Sequence, residues 1–145
     1  MSERETEISE QDLNNAMQTL EIYKAQLEAL NKQKDLIETS LNEHRMGLET
    51  IKNYRDAKEG TEILVPVGGG TYIPAVVGRK KVMLALGAEY YAEEEFERAI
   101  EEFGRRVSEL EESLSKVNES IGLINQKATQ LSLILEDYYA GHRQH

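Results

Sequence analysis

Gly68-Gly69-Gly70 is the run that most invites a chemical reading, because the backbone N–H groups of a glycine-rich loop can cradle a phosphate. A phosphate loop ends on Gly-Lys-Ser/Thr and opens a helix. Here Thr71-Tyr72-Ile73 follow, so a hairpin turn is the better reading. Glu101-Glu102 and Glu111-Glu112 are paired carboxylates, but they read as solvated helix faces rather than a catalytic dyad. His44 could ligate a metal or sense pH; no second ligand stands near it, and it reads as a polar interruption of an apolar seam. Arg79-Lys80-Lys81 reads as a solvated turn, with an acidic partner as the lesser alternative. His142 to His145 reads as a disordered tail, 141–145. The chain has no cysteine, which excludes disulfides and thiolate metal sites. With no pairing of nucleophile and base in view, the expectation is a protein that is not an enzyme and needs no cofactor or metal.

The elements that carry these residues are long helices. Composition points the same way: no Trp, two Phe and 30% charged residues suit solvated helices better than a thick core. From 9 to 58, Leu13, Ala16, Leu20, Tyr23, Leu27, Leu30, Lys34, Ile37, Leu41, His44, Leu48 and Ile51 alternate spacings of three and four. That is a heptad seam, broken only by Lys34 and His44. Ser9 followed by Asp12 reads as a helix start. From 92 to 140, Phe96, Ile100, Phe103, Val107, Leu110, Leu114, Val117, Ile121, Ile124, Ala128, Leu131, Leu135 and Tyr138 keep the same alternation without a polar residue. Glu93, Glu94 and Glu95 are placed in the first turn of this helix, where the dipole favours negative charge. Gly47 and Gly104 read as tolerated helix glycines, with a bend as the alternative.

Residues 60–91 change character. Gly60 is expected to end the first helix at C′. Ile63 to Val67, Tyr72 to Val77, Val82 to Leu86 and Tyr90-Tyr91 read as four short strands, separated by Gly68-Gly69-Gly70, Gly78-Arg79-Lys80 and Gly87-Ala88. Pro66 and Pro74 mark strand edges or positions outside the hydrogen-bonded ladder.

Two helices of similar length joined by four strands fold back most simply as an antiparallel pair. Leu13 then faces the region of Leu135 and Tyr138, and Ile51 that of Ile100. Both termini lie at one tip and the strands at the base. So short a β segment cannot bury a core alone, and isolated hairpins are marginal in water. The edges and apolar faces of Ile63, Val65, Val67, Ile73, Val77, Val82, Leu84 and Leu86 therefore invite strands from other subunits, and closure into a barrel removes those edges. The expected fold class is α+β, predominantly α. It is a long antiparallel two-helix coiled coil with two central β-hairpins that join an oligomeric β-barrel platform, in one domain over 1–145.

Net charge of −10 should repel a phosphate backbone, so no nucleic acid is expected as a partner. No apolar run is long enough for a membrane span. The acidic N-terminus has no apolar h-region, and a cytoplasmic location is expected.

Two stretches carry a resemblance. Glu62-Ile63-Leu64-Val65-Pro66-Val67-Gly68-Gly69-Gly70-Thr71-Tyr72 resembles the first hairpin of the prefoldin alpha subunit, and Lys81 to Glu93 its second hairpin leading into a helix. The match looks archaeal and spans nearly the whole chain. It implies an ATP-independent molecular chaperone, a holdase. In it, two alpha subunits with two hairpins each and four prefoldin beta subunits with one hairpin each pool their strands into two barrels. The coiled-coil tips of such an assembly hold unfolded polypeptides and pass them to a group II chaperonin.

A holdase of that kind needs apolar surface that its own fold does not seal. Met17, Leu133, Ile134 and Tyr139 fall off the seam near the tip, and Ile8 lies outside its register. With Leu13, Leu20, Leu131, Leu135 and Tyr138 they form the expected client-binding set, in which Met adapts well to varied partners. Off-seam apolar residues also occur at Ile22, Leu36, Met46 and Leu123, so the tip is only modestly enriched. The rival reading is a structural coiled-coil scaffold that binds one specific folded partner.

Overall fold

The computed structural model describes residues 10–143, with side chains through Gly141. Ile8 and the Ser9 helix start lie outside the described residues. The order of elements is α1 (Glu10–Asp56), β1 (Glu62–Gly68), β2 (Thr71–Val76), β3 (Val82–Gly87), β4 (Tyr90–Glu94) and α2 (Phe96–Arg143). The chain divides into two compact units, one of residues 39–111 and one joining 1–38 to 112–145.

In the unit of residues 39–111 the two helices run antiparallel. Arg45 donates to Glu111 at 2.8 Å and Arg55 to Glu97 at 3.2 Å. The Tyr54 ring stacks on Phe96 at 5.9 Å. Leu41, Phe96 and Ala99 are buried, and His44, Leu48, Ile51, Ile100, Phe103, Val107 and Leu110 are half-buried. Phe103 explains Gly47: a Cβ there would stand 3.0 Å from the ring. The glycine gives the aromatic knob its seat, whereas Gly104 has nothing within 4 Å. His44 leans on the same ring at 5.6 Å, and its Nδ1–H donates to the Ser40 carbonyl at 2.7 Å.

In the other unit the seam continues. Leu13, Ala16, Leu20, Tyr23, Leu27, Leu30, Lys34 and Ile37 are half-buried, facing a strip that contains buried Val117 and Leu135. Tyr139 reaches back to Met17, with Oη 3.8 Å from the thioether sulfur. Every heptad position named from the sequence is therefore covered. The off-seam residues Ile22, Leu36, Met46 and Leu123 are exposed.

The four strands form two separate two-stranded antiparallel sheets, β1–β2 and β3–β4. Two boundaries differ from expectation. Glu93 and Glu94 belong to β4, opposite Met83 and Val82, rather than to a helical first turn. The Arg79–Glu93 and Lys81–Glu95 ion pairs draw this acidic stretch toward the linker between the hairpins. The following helix begins at Phe96, with Glu97 its first-turn acid. Gly60 does not end α1, which stops at Asp56. Gly60 instead takes φ 88° in the next turn and donates to Val77 at 2.7 Å.

The last carbonyls of α1 are served by Lys80, twenty-odd residues later. Its ammonium donates to Tyr54 O at 2.5 Å, to Arg55 O at 3.3 Å and to Ala57 O, and lies 5.1 Å from the centre of the Tyr54 ring. A cation at a helix C-terminus satisfies orphan carbonyls and opposes the dipole. Lys80 is thus taken up internally, while Arg79 and Lys81 stay exposed and pair with Glu93 and Glu95. Lys80→Met is expected to cost about 1–2 kcal/mol, seen as a lower urea midpoint and faster amide exchange over 53–57. An unchanged midpoint would show that water serves these carbonyls equally well.

Candidate functional site

Among the described residues the chemistry on offer is apolar surface, concentrated first on the hairpins. Register sets which side chains share a face. Val65 stands opposite Ile73 and Ile63 opposite Ala75, while Leu64 faces Pro74 and Pro66 faces Tyr72. Both faces of the first hairpin are therefore apolar. Val65, Val67 and Ile73 are exposed on one, and Leu64 and Tyr72 on the other, with Leu64 63% exposed. Val76 is exposed opposite Glu62. A strand with apolar residues on both sides belongs between two layers, and this chain supplies only part of one.

The second hairpin is more one-sided. Val82, Leu84, Ala92 and Glu94 share a half-buried face, and Met83, Ala85, Glu93 and Tyr91 share an exposed one. Leu86, at the register shift, and Tyr90 are also exposed. Val77 departs from the expected set. At 1% exposure it is sealed inside its own chain, where its N–H donates to Thr61 and its carbonyl accepts from Gly60. It offers no surface to a neighbour, because the ladder continues past β2 and tucks Val77 in beside the end of α1.

The set expected from the sequence names Ile63, Val65, Val67 and Ile73 and leaves out Leu64, Tyr72, Val76, Met83, Tyr90 and Tyr91. The signal for some of them was present: Ile63-Leu64-Val65 is a continuous apolar run, the mark of a strand buried on both faces.

Between β3 and α2 lies a cleft of about 820 Å³, walled by Leu84 and Leu86 on one side and by Arg98, Glu101, Glu102 and Arg105 on the other. Its cations are already engaged: Arg98 with Glu94 at 3.6 Å, and Arg105 with Glu102 and Glu109 at 2.6 Å each. Hydrogen bonds from Arg105 and then Arg106 hold the Glu102 carboxyl below its usual range, against an opposing desolvation effect. No group of His, Asp and Glu among the described residues could hold a metal ion. Nor is any described helix long and apolar enough to cross a membrane.

In the second unit, the helix ends nearest the termini carry the other apolar surface. Met17, Leu133, Ile134 and Tyr139 are exposed, Leu133 and Ile134 each by 54%. Leu13, Leu20, Leu131 and Tyr138 are half-buried in the seam. Leu135, expected to help hold clients, is buried at 8% and packs between the helices, because its heptad position points inward. The Tyr138 and Tyr139 rings meet edge to face at 5.7 Å. Ile22 and Leu123 extend the exposed apolar surface in the same unit.

These features have counterparts in known proteins. The family model described as Prefoldin subunit matches residues 23–140. The prefoldin subunit alpha of Methanosarcina acetivorans is 37% identical over 98 residues, covering 65% of this chain and 68% of that protein. That of Archaeoglobus fulgidus is 30% identical over 93 residues, covering 63% and 68%. Among solved structures, filamentous PFD from Methanocaldococcus jannaschii aligns with a TM-score of 0.63 at 25% identity, over 80% of this chain and 97% of that one. The prefoldin beta subunit from Thermococcus strain KS-1 aligns with a TM-score of 0.63 at 17% identity, over 91% and 95%, which shows a shared fold.

Proposed function

The chain belongs to the prefoldin family and is on that ground a chaperone subunit; we propose that it is an alpha-type subunit of an ATP-independent holdase, gripping unfolded polypeptides at the ends of its coiled coil. In this reading its hairpins join those of one-hairpin beta subunits, two alpha to four beta, in a cytoplasmic assembly that hands clients to a group II chaperonin. Two hairpins per chain favour the alpha role, as does the likeness to proteins named as alpha subunits.

One observation carries the client-binding part. Met17, Leu133, Ile134 and Tyr139 stay exposed beside a seam that is already filled, even though Tyr139 Oη lies on the Met17 sulfur. These side chains are 45–54% exposed, so covering the remainder of each against an apolar client is worth roughly 1 kcal/mol. Several weak, adaptable contacts of this kind suit the capture of many sequences.

The test uses the assembled complex. Replacing Met17, Leu133, Ile134 and Tyr139 together by Glu should raise the concentration needed to suppress aggregation of several unrelated denatured proteins, without ATP, by about tenfold or more. Undiminished suppression would place the grip elsewhere. Binding of one folded partner and no denatured ones would instead favour a scaffold.

A further inference from the structure

The two hairpins turn with the same backbone and different residues. In the first, Gly68, Gly69 and Gly70 take φ of 98°, 59° and 74°. In the second, Gly87, Ala88 and Glu89 take 96°, 49° and 66°. Each hairpin has a register shift just before the turn, between Pro66 and Gly68 and between Ala85 and Gly87. Each closes through a pair flanking two loop residues, Gly68 with Thr71 and Gly87 with Tyr90. Positive φ at both loop residues is the signature of a type I′ turn, which Asn-Gly or Gly-Gly adopt readily. Ala and Glu carry a Cβ into the left-handed region, where it crowds the following carbonyl. The first hairpin meets this conformational demand with glycine, and the second meets it with strain.

The anchoring differs in the same sense. The first hairpin is extended by the backbone bonds between Val77 and both Thr61 and Gly60, and Gly78 donates to Tyr54 Oη at 3.1 Å. Besides its side-chain packing, the second is tied through Arg79–Glu93 and Arg98–Glu94, whose arginines are more than 70% exposed, and through Lys81–Glu95, whose glutamate is 71% exposed. Pairs of that kind contribute little.

We propose that the two hairpins are unequal by construction: the first is a preformed docking element, while the second, closed in the structure, is kept marginal by its Ala88-Glu89 turn and opens readily until strands of another subunit pair with it. Strain of this sort persists where the surrounding structure over-determines it, and a lone two-stranded hairpin does not supply such surroundings. Ordering on contact makes the second hairpin's pairing weaker and more reversible than its apolar area alone would give. The role of partner strands rests on the assembly reading above; the inequality of the two turns does not.

Peptide-level amide exchange on the full-length chain tests both parts. In the chain alone, residues 82–94 should exchange about tenfold or more faster than 62–76. Glu89→Gly should slow exchange over 82–94 by about tenfold, the order expected for one non-glycine residue released from this conformation. Ala88→Asn combined with Glu89→Gly should slow it further. Glu89→Gln, which removes the charge and keeps the Cβ, should leave it unchanged. On mixing with a one-hairpin partner subunit, 82–94 of the unmodified chain should become as protected as in Glu89→Gly. Equal protection of the two hairpins in the chain alone overturns the proposal, as does Glu89→Gly behaving like Glu89→Gln. If mixing protects neither hairpin, the assembly reading falls and takes the partner-strand half with it.

Discussion

Val65→Asp together with Ile73→Asp is expected to abolish assembly with partner subunits while leaving both helices intact. The two residues are paired directly across the β1–β2 ladder and share a face. Both are exposed in the chain alone, so the cost to the isolated fold comes mainly from two like charges set opposite one another, of order 1 kcal/mol or less. In an assembly that covers this face, each carboxylate must be desolvated or protonated, at several kcal/mol apiece. A combined penalty of about 5 kcal/mol or more weakens association by a factor of a few thousand. Mass measurement of the mixed subunits should then return free chains at micromolar concentration, with helical circular dichroism unchanged. Recovery of an unaltered complex would remove this face from the interface. An exposed residue outside the set expected from the sequence offers a matched comparison: Leu64→Asp places a single charge on the opposite face, and its effect reports whether both layers are covered.

The second large effect belongs to the coiled coil. Leu41→Ala should destabilise the chain by about 2–5 kcal/mol, because Leu41 is 3% exposed and its removal leaves a cavity between two helices that cannot readily collapse. Leu36→Ala, at a position 74% exposed, should change stability by no more than about 0.5 kcal/mol. Urea midpoints of the two variants at one protein concentration make the comparison. A Leu41→Ala midpoint close to that of Leu36→Ala would mean that the helices do not depend on this contact.

That pair of leucines also shows why the helical part was legible. The three-four spacing is a local property, so Leu41 falls on the seam and Leu36 off it by counting alone, and the structure buries one and exposes the other. The hairpins were legible in number and place because glycines and β-branched runs are local signals too. What escaped depended on neighbours distant in sequence. Nothing near Lys80 announces that its ammonium will reach back to Tyr54, Arg55 and Ala57. Nothing around Val77 foretells its bonds to Gly60 and Thr61. Glu93 and Glu94 looked like helix-start acids because their own stretch is polar, and only the strand across from them, with Met83 and Val82, draws them into a sheet. At the helix ends, counting separated Met17, Leu133, Ile134 and Tyr139 from the seam. Leu135 was included for its nearness to the tip, against the inward direction its own position prescribed.

The clasp made by Lys80 has a consequence for how such a chain can diversify. Its residue follows one hairpin and precedes the other, and it grips the last turn of the helix rather than either sheet. Residues added or removed around Gly69 therefore change the reach of the first loop without moving the point from which the second departs. Evolution can trim one ornament to suit a new neighbour while the stem and the other ornament keep their places.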